Sequence, residues 1–92
     1  MAVLVIQEFE ATREEYDKVN EILGDATPEG AILHAGCDLG GDKWRSVDVW
    51  ESPEAFQNFV QSKLIPAIAE VNPDAPQAAE PEILEVYDLQ KA

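Results

Sequence analysis

Residues 2–9 read AVLVIQEF and are apolar at both odd and even positions. A strand with one side in water alternates apolar and polar residues, so a run without alternation is typical of a strand covered on both faces. The rest of the chain offers two helical segments, which can cover only one face of a small sheet. The first strand therefore predicts that a layer from outside the chain covers the other face.

A helix is predicted over residues 12–23. Thr12 is a suitable N-cap, and Glu15 completes a capping box in which each side chain binds the other residue's backbone amide. An apolar stripe follows at helical spacing, formed by Tyr16, Val19, Ile22 and Leu23. Gly24 is expected to end the helix, because glycine readily takes the left-handed conformation found there.

A β-hairpin is predicted next. The turn residues of segment 27–30, TPEG, lead into a strand over residues 31–38. Segment 39–42, LGGD, is a turn that needs positive φ angles, and residues 43–51 form the returning strand.

The face pattern of this hairpin predicts its register. One set of side chains, here called the Leu33 face, contains Leu33, Ala35, Cys37, Val47 and Val49. The opposite set, the His34 face, contains Ile32, His34, Gly36, Trp44, Ser46, Asp48 and Trp50. We expect the apolar Leu33 face to pack on the helices and the His34 face to be the side that the helices leave bare.

A second helix is predicted to begin at Ser52, a good N-cap followed by proline and an acid in the first turn. Its apolar stripe consists of Phe56, Phe59, Val60 and Leu64. Pro66 has no amide hydrogen and is expected to kink or end the helix, with a further helical turn after it. Residues 72–82 contain three prolines and predict a long irregular connection, and residues 83–89 predict a closing strand.

This order of elements, βαββαβ, predicts one α+β domain over residues 1–92. The arrangement is ferredoxin-like: a four-stranded antiparallel sheet with two helices on one face. The other face is expected to carry Trp44 and Trp50 and to be too apolar for water. A second copy of the chain, related by a two-fold axis, is the expected cover, so the sequence predicts a homodimer.

The charge and cysteine content exclude several classes of partner. The net charge is −13, from 19 acidic and 6 basic residues, and such a surface repels nucleic acid and anionic membranes. Cys37 is the only cysteine, so no internal disulfide forms, and no cysteine or histidine spacing indicates a zinc site. The first residues do not resemble a signal peptide, and the expected location is the cytoplasm.

Three segments resemble a known family: residues 28–35, PEGAILHA; residues 47–52, VDVWES, with Phe56 and Phe59 after them; and residues 64–68, LIPAI. They are similar to the dimeric α/β-barrel superfamily, which includes antibiotic-biosynthesis monooxygenase-like and stress-responsive barrel proteins. The resemblance covers nearly the whole chain and implies a homodimeric α/β barrel. It leaves function open, since the superfamily contains cofactor-free oxygenases, haem-degrading enzymes and polyketide cyclases.

His34, the only histidine, is the first candidate for catalysis. With Asp48 orienting it across the hairpin, its imidazole could act as a general base on a phenol or enol. The alternative is a structural histidine, hydrogen-bonded in the barrel interior or at the dimer seam. A haem ligand is not expected here, because the family pattern places that histidine on a helix or loop.

Four other side chains are candidates for substrate binding. Trp50, Trp44 and Tyr87 could wall a pocket for a flat aromatic molecule, although aromatic residues in strands are commonly core. Arg45 could bind a substrate carboxylate, or it could form a surface ion pair. Cys37 differs in parity from His34, so we expect the two on opposite faces and no metal site between them.

Two functions are consistent with these residues. The first is a cofactor-independent monooxygenase or cyclase that acts on an aromatic or polyketide-like small molecule. The second is a non-catalytic homodimer that binds a small hydrophobic ligand or serves a stress response. The feature that discriminates between them is whether His34 and Asp48 line a space that a ligand can reach.

Overall fold

The computed structural model describes residues 1–24 and 28–90, and it has the predicted order of elements. The elements are β1 (Val3–Glu10), α1 (Arg13–Leu23), β2 (Ala31–Gly40), β3 (Lys43–Trp50), α2 (Pro53–Phe59), a π-helical turn (Val60–Leu64), α3 (Ile65–Val71) and β4 (Glu82–Glu85). The strands form an open sheet in the order β2-β3-β1-β4, and every neighbouring pair is antiparallel. This is the predicted α+β ferredoxin-like fold.

The ends of α1 have the predicted caps. The Thr12 hydroxyl accepts a hydrogen bond from the Glu15 amide at 3.1 Å, and the Glu15 carboxylate accepts one from the Thr12 amide at 2.9 Å. Gly24 has a φ of 79°, and its amide donates to the Asn20 carbonyl. Thr27, part of the predicted turn before β2, lies outside the described residues, whereas Pro28 accepts the Ala31 amide as a turn requires.

The second helical region continues past its proline. Ser52 caps it by accepting the Ala55 amide at 3.1 Å, and helical backbone then runs without a break to Val71. Pro66 cannot donate a hydrogen bond, and immediately before it the Ile65 amide donates to the Val60 carbonyl, five residues back. The predicted irregularity is therefore a π-helical turn and not a termination. No helix within residues 1–24 and 28–90 is long and apolar enough to cross a membrane.

The last strand is shorter than predicted. β4 covers Glu82–Glu85 in place of residues 83–89, and its ladder ends with the Val86 amide donating to the Ala2 carbonyl. The ladder with β1 does not continue beyond that bond, and Tyr87 and Leu89 continue as exposed, irregular chain.

The connection before β4 is irregular, as predicted, but it is attached to the rest of the fold. Asn72 donates to the carboxylate of Glu15 at 2.9 Å, which ties the start of the connection to the N-terminus of α1. Near its other end, Ala79 donates to the Glu8 carbonyl and accepts from the Gln7 side chain.

The hairpin has the predicted register. His34 lies opposite Asp48, and Ala35 lies opposite Val47. Every second residue along paired strands lies on the same face, so the memberships of the Leu33 and His34 faces are as expected except at Ile32. A β-bulge between Ala31 and Leu33 places Ala31, and not Ile32, opposite Trp50. Pairing with β1 and β4 adds Leu4, Ile6 and Leu84 to the Leu33 face.

The assignment of these faces to the helices is wrong, because the helices cover the His34 face. Trp50 packs on Phe56 and Phe59, with ring centroids 5.8 and 5.2 Å apart. Trp44 stacks on Tyr16 of α1 at 4.3 Å. The reason is the size of the rings: two tryptophans bury far more apolar area against helices than valine and alanine do.

Gly36 of β2 allows a close approach by α1. The hydroxyl of Tyr16 lies directly against the Gly36 backbone, and a Cβ at this position would also lie only 2.9 Å from Tyr16 Cζ. No other amino acid fits here while Tyr16 keeps its stacking on Trp44.

We expect Gly36→Ala to destabilise the fold by about 1–3 kcal/mol, the usual cost of an extra methyl group in a filled space. Denaturant unfolding of the single and double variants with Tyr16→Ala measures it. In the Tyr16→Ala background the same alanine should cost nothing or stabilise the strand. An equal loss in both backgrounds would show that Tyr16 is not the obstacle.

Candidate functional site

The structure brings His34 and Asp48 together across the hairpin. His34 Nδ1 and Asp48 Oδ1 form a hydrogen bond between directly opposed residues of β2 and β3. Since an ionised carboxylate can only accept, the hydrogen of this bond belongs to Nδ1. In the neutral imidazole, Nε2 is then the nitrogen that can take a proton from another molecule.

Asp48 is held firmly, while His34 is accessible. The side chain of Asp48 is 13% exposed, and its second oxygen lies 3.4 Å from the Trp50 indole nitrogen, which donates to it. The side chain of His34 is 54% exposed. The carboxylate thus connects the aromatic core to an imidazole that solvent or a ligand can reach.

The pKa of His34 lies above its ordinary value. The hydrogen bond with Asp48 is the main cause, partial burial acts in the opposite direction, and the negative charge of Asp48 adds to the increase. Near neutral pH a larger fraction of His34 is therefore protonated than of a free histidine, and its basic form becomes dominant only at higher pH.

His34 stands on a part of the sheet that the helices leave uncovered. β2 is an edge strand, and every residue from Leu33 to Gly40 is exposed. We call its helix-side surface from His34 to Asp38 the β2 shelf. The Tyr16 hydroxyl lies over its middle at Gly36, and Arg13 of α1 pairs with Asp38 at 2.9 Å at its far end.

The other predicted binding residues lie elsewhere. Trp44 is buried, stacks on Tyr16 and donates to the Ala11 carbonyl at 2.7 Å, so it is part of the core. Arg45 lies on the Leu33 face and pairs with Glu8 at 2.8 Å, which matches the surface ion-pair alternative. Tyr87 is fully exposed after β4. Of the aromatic candidates, only Trp50 contacts the His34–Asp48 pair.

Tyr16 and Gly36 belong to this region and were not among the predicted site residues. Tyr16 fits the apolar stripe of its helix, which hides the fact that its hydroxyl reaches the sheet. The available signal was Gly36, because an isolated glycine within a strand indicates close approach by another group.

Metal ligands and large pockets do not coincide with the pair. Among the described residues, no group of three or more histidine, cysteine or acidic side chains could hold a metal ion. Two surface pockets of about 370 Å³ each are lined by other residues. One lies between α1 and α3 near Lys18 and Glu70, and the other lies beside Phe9, Trp44 and Pro76.

Comparison with solved structures identifies the fold. A candidate antibiotic biosynthesis monooxygenase from Chloroflexus aurantiacus is 21% identical with a TM-score of 0.68, and the alignment covers 98% of each chain. SnoaB, a cofactor-independent oxygenase from Streptomyces nogalater, is 14% identical with a TM-score of 0.63 over 96% of this chain and 95% of its own.

A protein of unknown function from Nitrosomonas europaea is 12% identical with a TM-score of 0.69, covering 99% of this chain and 94% of its own. No protein-family model and no curated protein sequence matches the chain. The chain therefore has the fold of the antibiotic-biosynthesis monooxygenase-like proteins, as its sequence resemblance implied.

We expect the imidazole of His34 to titrate at a higher pH than a free histidine, and Asp48→Asn to lower its pKa, because the charged partner is removed. Since His34 is the only histidine, its ring signals in an NMR titration report this pKa without overlap. Glu51→Gln, which removes an exposed carboxylate outside the pair, is the matched control. An unchanged titration in Asp48→Asn would contradict the assigned pair.

Proposed function

We propose that this protein is a cofactor-independent oxygenase that acts on a phenol- or enol-containing aromatic small molecule, with His34 as the general base. The observation that supports this most directly is the His34–Asp48 pair on the uncovered β2 shelf, with Nε2 available. The fold shared with SnoaB, itself a cofactor-independent oxygenase, supports the reaction class.

The chemistry requires a base and molecular oxygen. Nε2 of His34 takes the proton of the substrate, and Asp48 stabilises the resulting imidazolium. The substrate anion is electron-rich and reduces O₂, forming a carbon–oxygen bond at a ring methylene. One oxygen atom stays as a carbonyl, and the other leaves as water with the remaining hydrogen of that carbon and the proton that His34 returns, so His34 is neutral again. A cyclase would use the same anion to attack a carbonyl carbon within the substrate.

The alternative function, a non-catalytic protein that binds a small hydrophobic ligand, is favoured by a different observation. The two surface pockets of about 370 Å³ are not lined by His34 or Asp48. A ligand held in the pocket beside Phe9 and Trp44 would lie about four residues along the sheet from the base. Binding without turnover, unaffected by His34 substitutions, would be the result expected from that function.

We expect His34→Ala to lower kcat on anthrone-like phenols by about 100- to 10,000-fold, the usual contribution of a positioned base. Oxygen uptake and quinone absorbance measure the rate. The activity of the wild-type protein should rise with pH through the raised pKa of His34, since only the neutral imidazole accepts a proton. Asp48→Asn should move this rise to lower pH while reducing the maximum rate. An unchanged rate in His34→Ala removes His34 from the mechanism.

We also propose that the Leu33 face is the surface on which two copies pair. Its apolar side chains are Leu4, Ile6, Leu33, Ala35, Cys37, Val47, Val49 and Leu84. The same face also carries Glu82 on the edge strand β4 and, toward one end, the Glu8–Arg45 ion pair. In a chain with 19 acidic residues, a contiguous apolar set of this size is unusual for a monomer. Leu33 and Leu84 are 44% and 45% exposed in the single chain, and a two-fold partner would bury both.

We expect Leu33→Lys to produce monomers, because an uncompensated charge would be buried at the centre of the pairing surface. Light scattering at micromolar concentration measures the mass. Ile22→Lys is the matched control, since Ile22 is also 44% exposed but lies on α1, away from the Leu33 face. A wild-type protein of monomeric mass, or equal effects of the two substitutions, would reject this surface.

A further inference from the structure

We propose that Tyr16 is a second substrate-binding residue of the β2 shelf, whose hydroxyl donates a hydrogen bond to the oxygen of the bound phenolate. This inference rests on the proposed function and specifies its substrate: a flat molecule with an ionisable hydroxyl group. The observation behind it is the position of the Tyr16 hydroxyl against Gly36, two residues along β2 from His34 and on the same face.

The spacing suits one shared substrate atom. Two residues of a strand span about 6.6 Å, which separates the positions of Gly36 and His34 along the shelf. Two hydrogen bonds of about 2.8 Å each, meeting at one oxygen, cover most of that distance. The proposed phenol oxygen lies between the Tyr16 hydroxyl on one side and the His34 imidazole on the other.

The Tyr16 ring is held well enough to position that hydroxyl. It stacks on Trp44 at 4.3 Å and lies 6.1 Å from the ring of Phe9, nearly parallel to it. Because Gly36 has no side chain, the hydroxyl of Tyr16 lies directly against its backbone. This contact prevents the ring from moving further toward the sheet. A donor that is already in place needs no rearrangement when negative charge develops on the substrate oxygen.

The proton transfer is then complete within the site. The phenol O–H bond breaks, its proton joins Nε2 of His34, and the electron pair remains on the phenolate oxygen. The Tyr16 O–H donates to this oxygen and keeps its own proton. Asp48, bonded to Nδ1, faces the positive charge that forms on the imidazole.

The test uses 4-nitrophenol, whose absorption spectrum distinguishes phenol from phenolate, at a pH below the pKa of the free probe. We expect the wild-type protein to bind it with an increased phenolate fraction. Tyr16→Phe keeps the stacked ring and removes only the hydroxyl, so it should weaken binding by about tenfold or more and lower that fraction. Gly36→Ala, which displaces the hydroxyl from the other side, should do the same.

Tyr87→Phe removes the fully exposed hydroxyl of the only other tyrosine and should match the wild-type protein. Circular dichroism and thermal unfolding establish that each variant is folded. If Tyr16→Phe binds 4-nitrophenol with the affinity and phenolate fraction of the wild-type protein, while His34→Ala abolishes phenolate formation, this inference alone is overturned. A folded wild-type protein that binds no phenol overturns the proposed function and this inference together.

Discussion

The packing of Trp50 on Phe56 and Phe59 determines which side of the sheet the helices cover. Because side chains alternate along a strand, placing this one ring under α2 also places Asp48 and Trp44 beneath the helices. His34, paired with Asp48, lies on the same side of the sheet but on the edge strand β2, where it stays exposed. The candidate site and the exposed apolar surface of the sheet are separated as a direct result of this contact, and each can be occupied without blocking the other.

The sequence predicted the elements and the hairpin register because these depend on local patterns. The capping box of Thr12 and Glu15, the glycines of the turn before Lys43, and the parity of the hairpin residues all act within a few positions. The end of β4 was not predictable in this way, since it depends on where β1 begins. The choice of covered face was also missed, because both faces are apolar and only three-dimensional packing ranks them.

The candidate site was predicted in part for the same reason. The His34–Asp48 contact follows from register alone, and the sequence indicated it. The places of Trp44, Arg45 and Tyr87 depend on which side meets the helices and on where the last strand ends. Tyr16 required knowledge of how α1 lies across β2. His34 lies on the helix side of the sheet, whereas the proposed pairing surface is the Leu33 face on the other side. Two subunits can therefore pair while the substrate site stays free, so the proposed oxygenase and the proposed dimer are compatible.

The π-helical turn at Val60–Leu64 has a consequence for how this sequence can change in length. A π turn holds one residue more than the α-helical turn it replaces. Losing one residue there would restore a regular α-helical turn and leave the orientation of α3 relative to α2 nearly unchanged. The buried Ala67 would keep its position, and the same side of α3 would face α1. Relatives that share this packing can therefore be one residue shorter at this turn, whereas a deletion within α2 or α3 would turn the rest of the helix by about 100°.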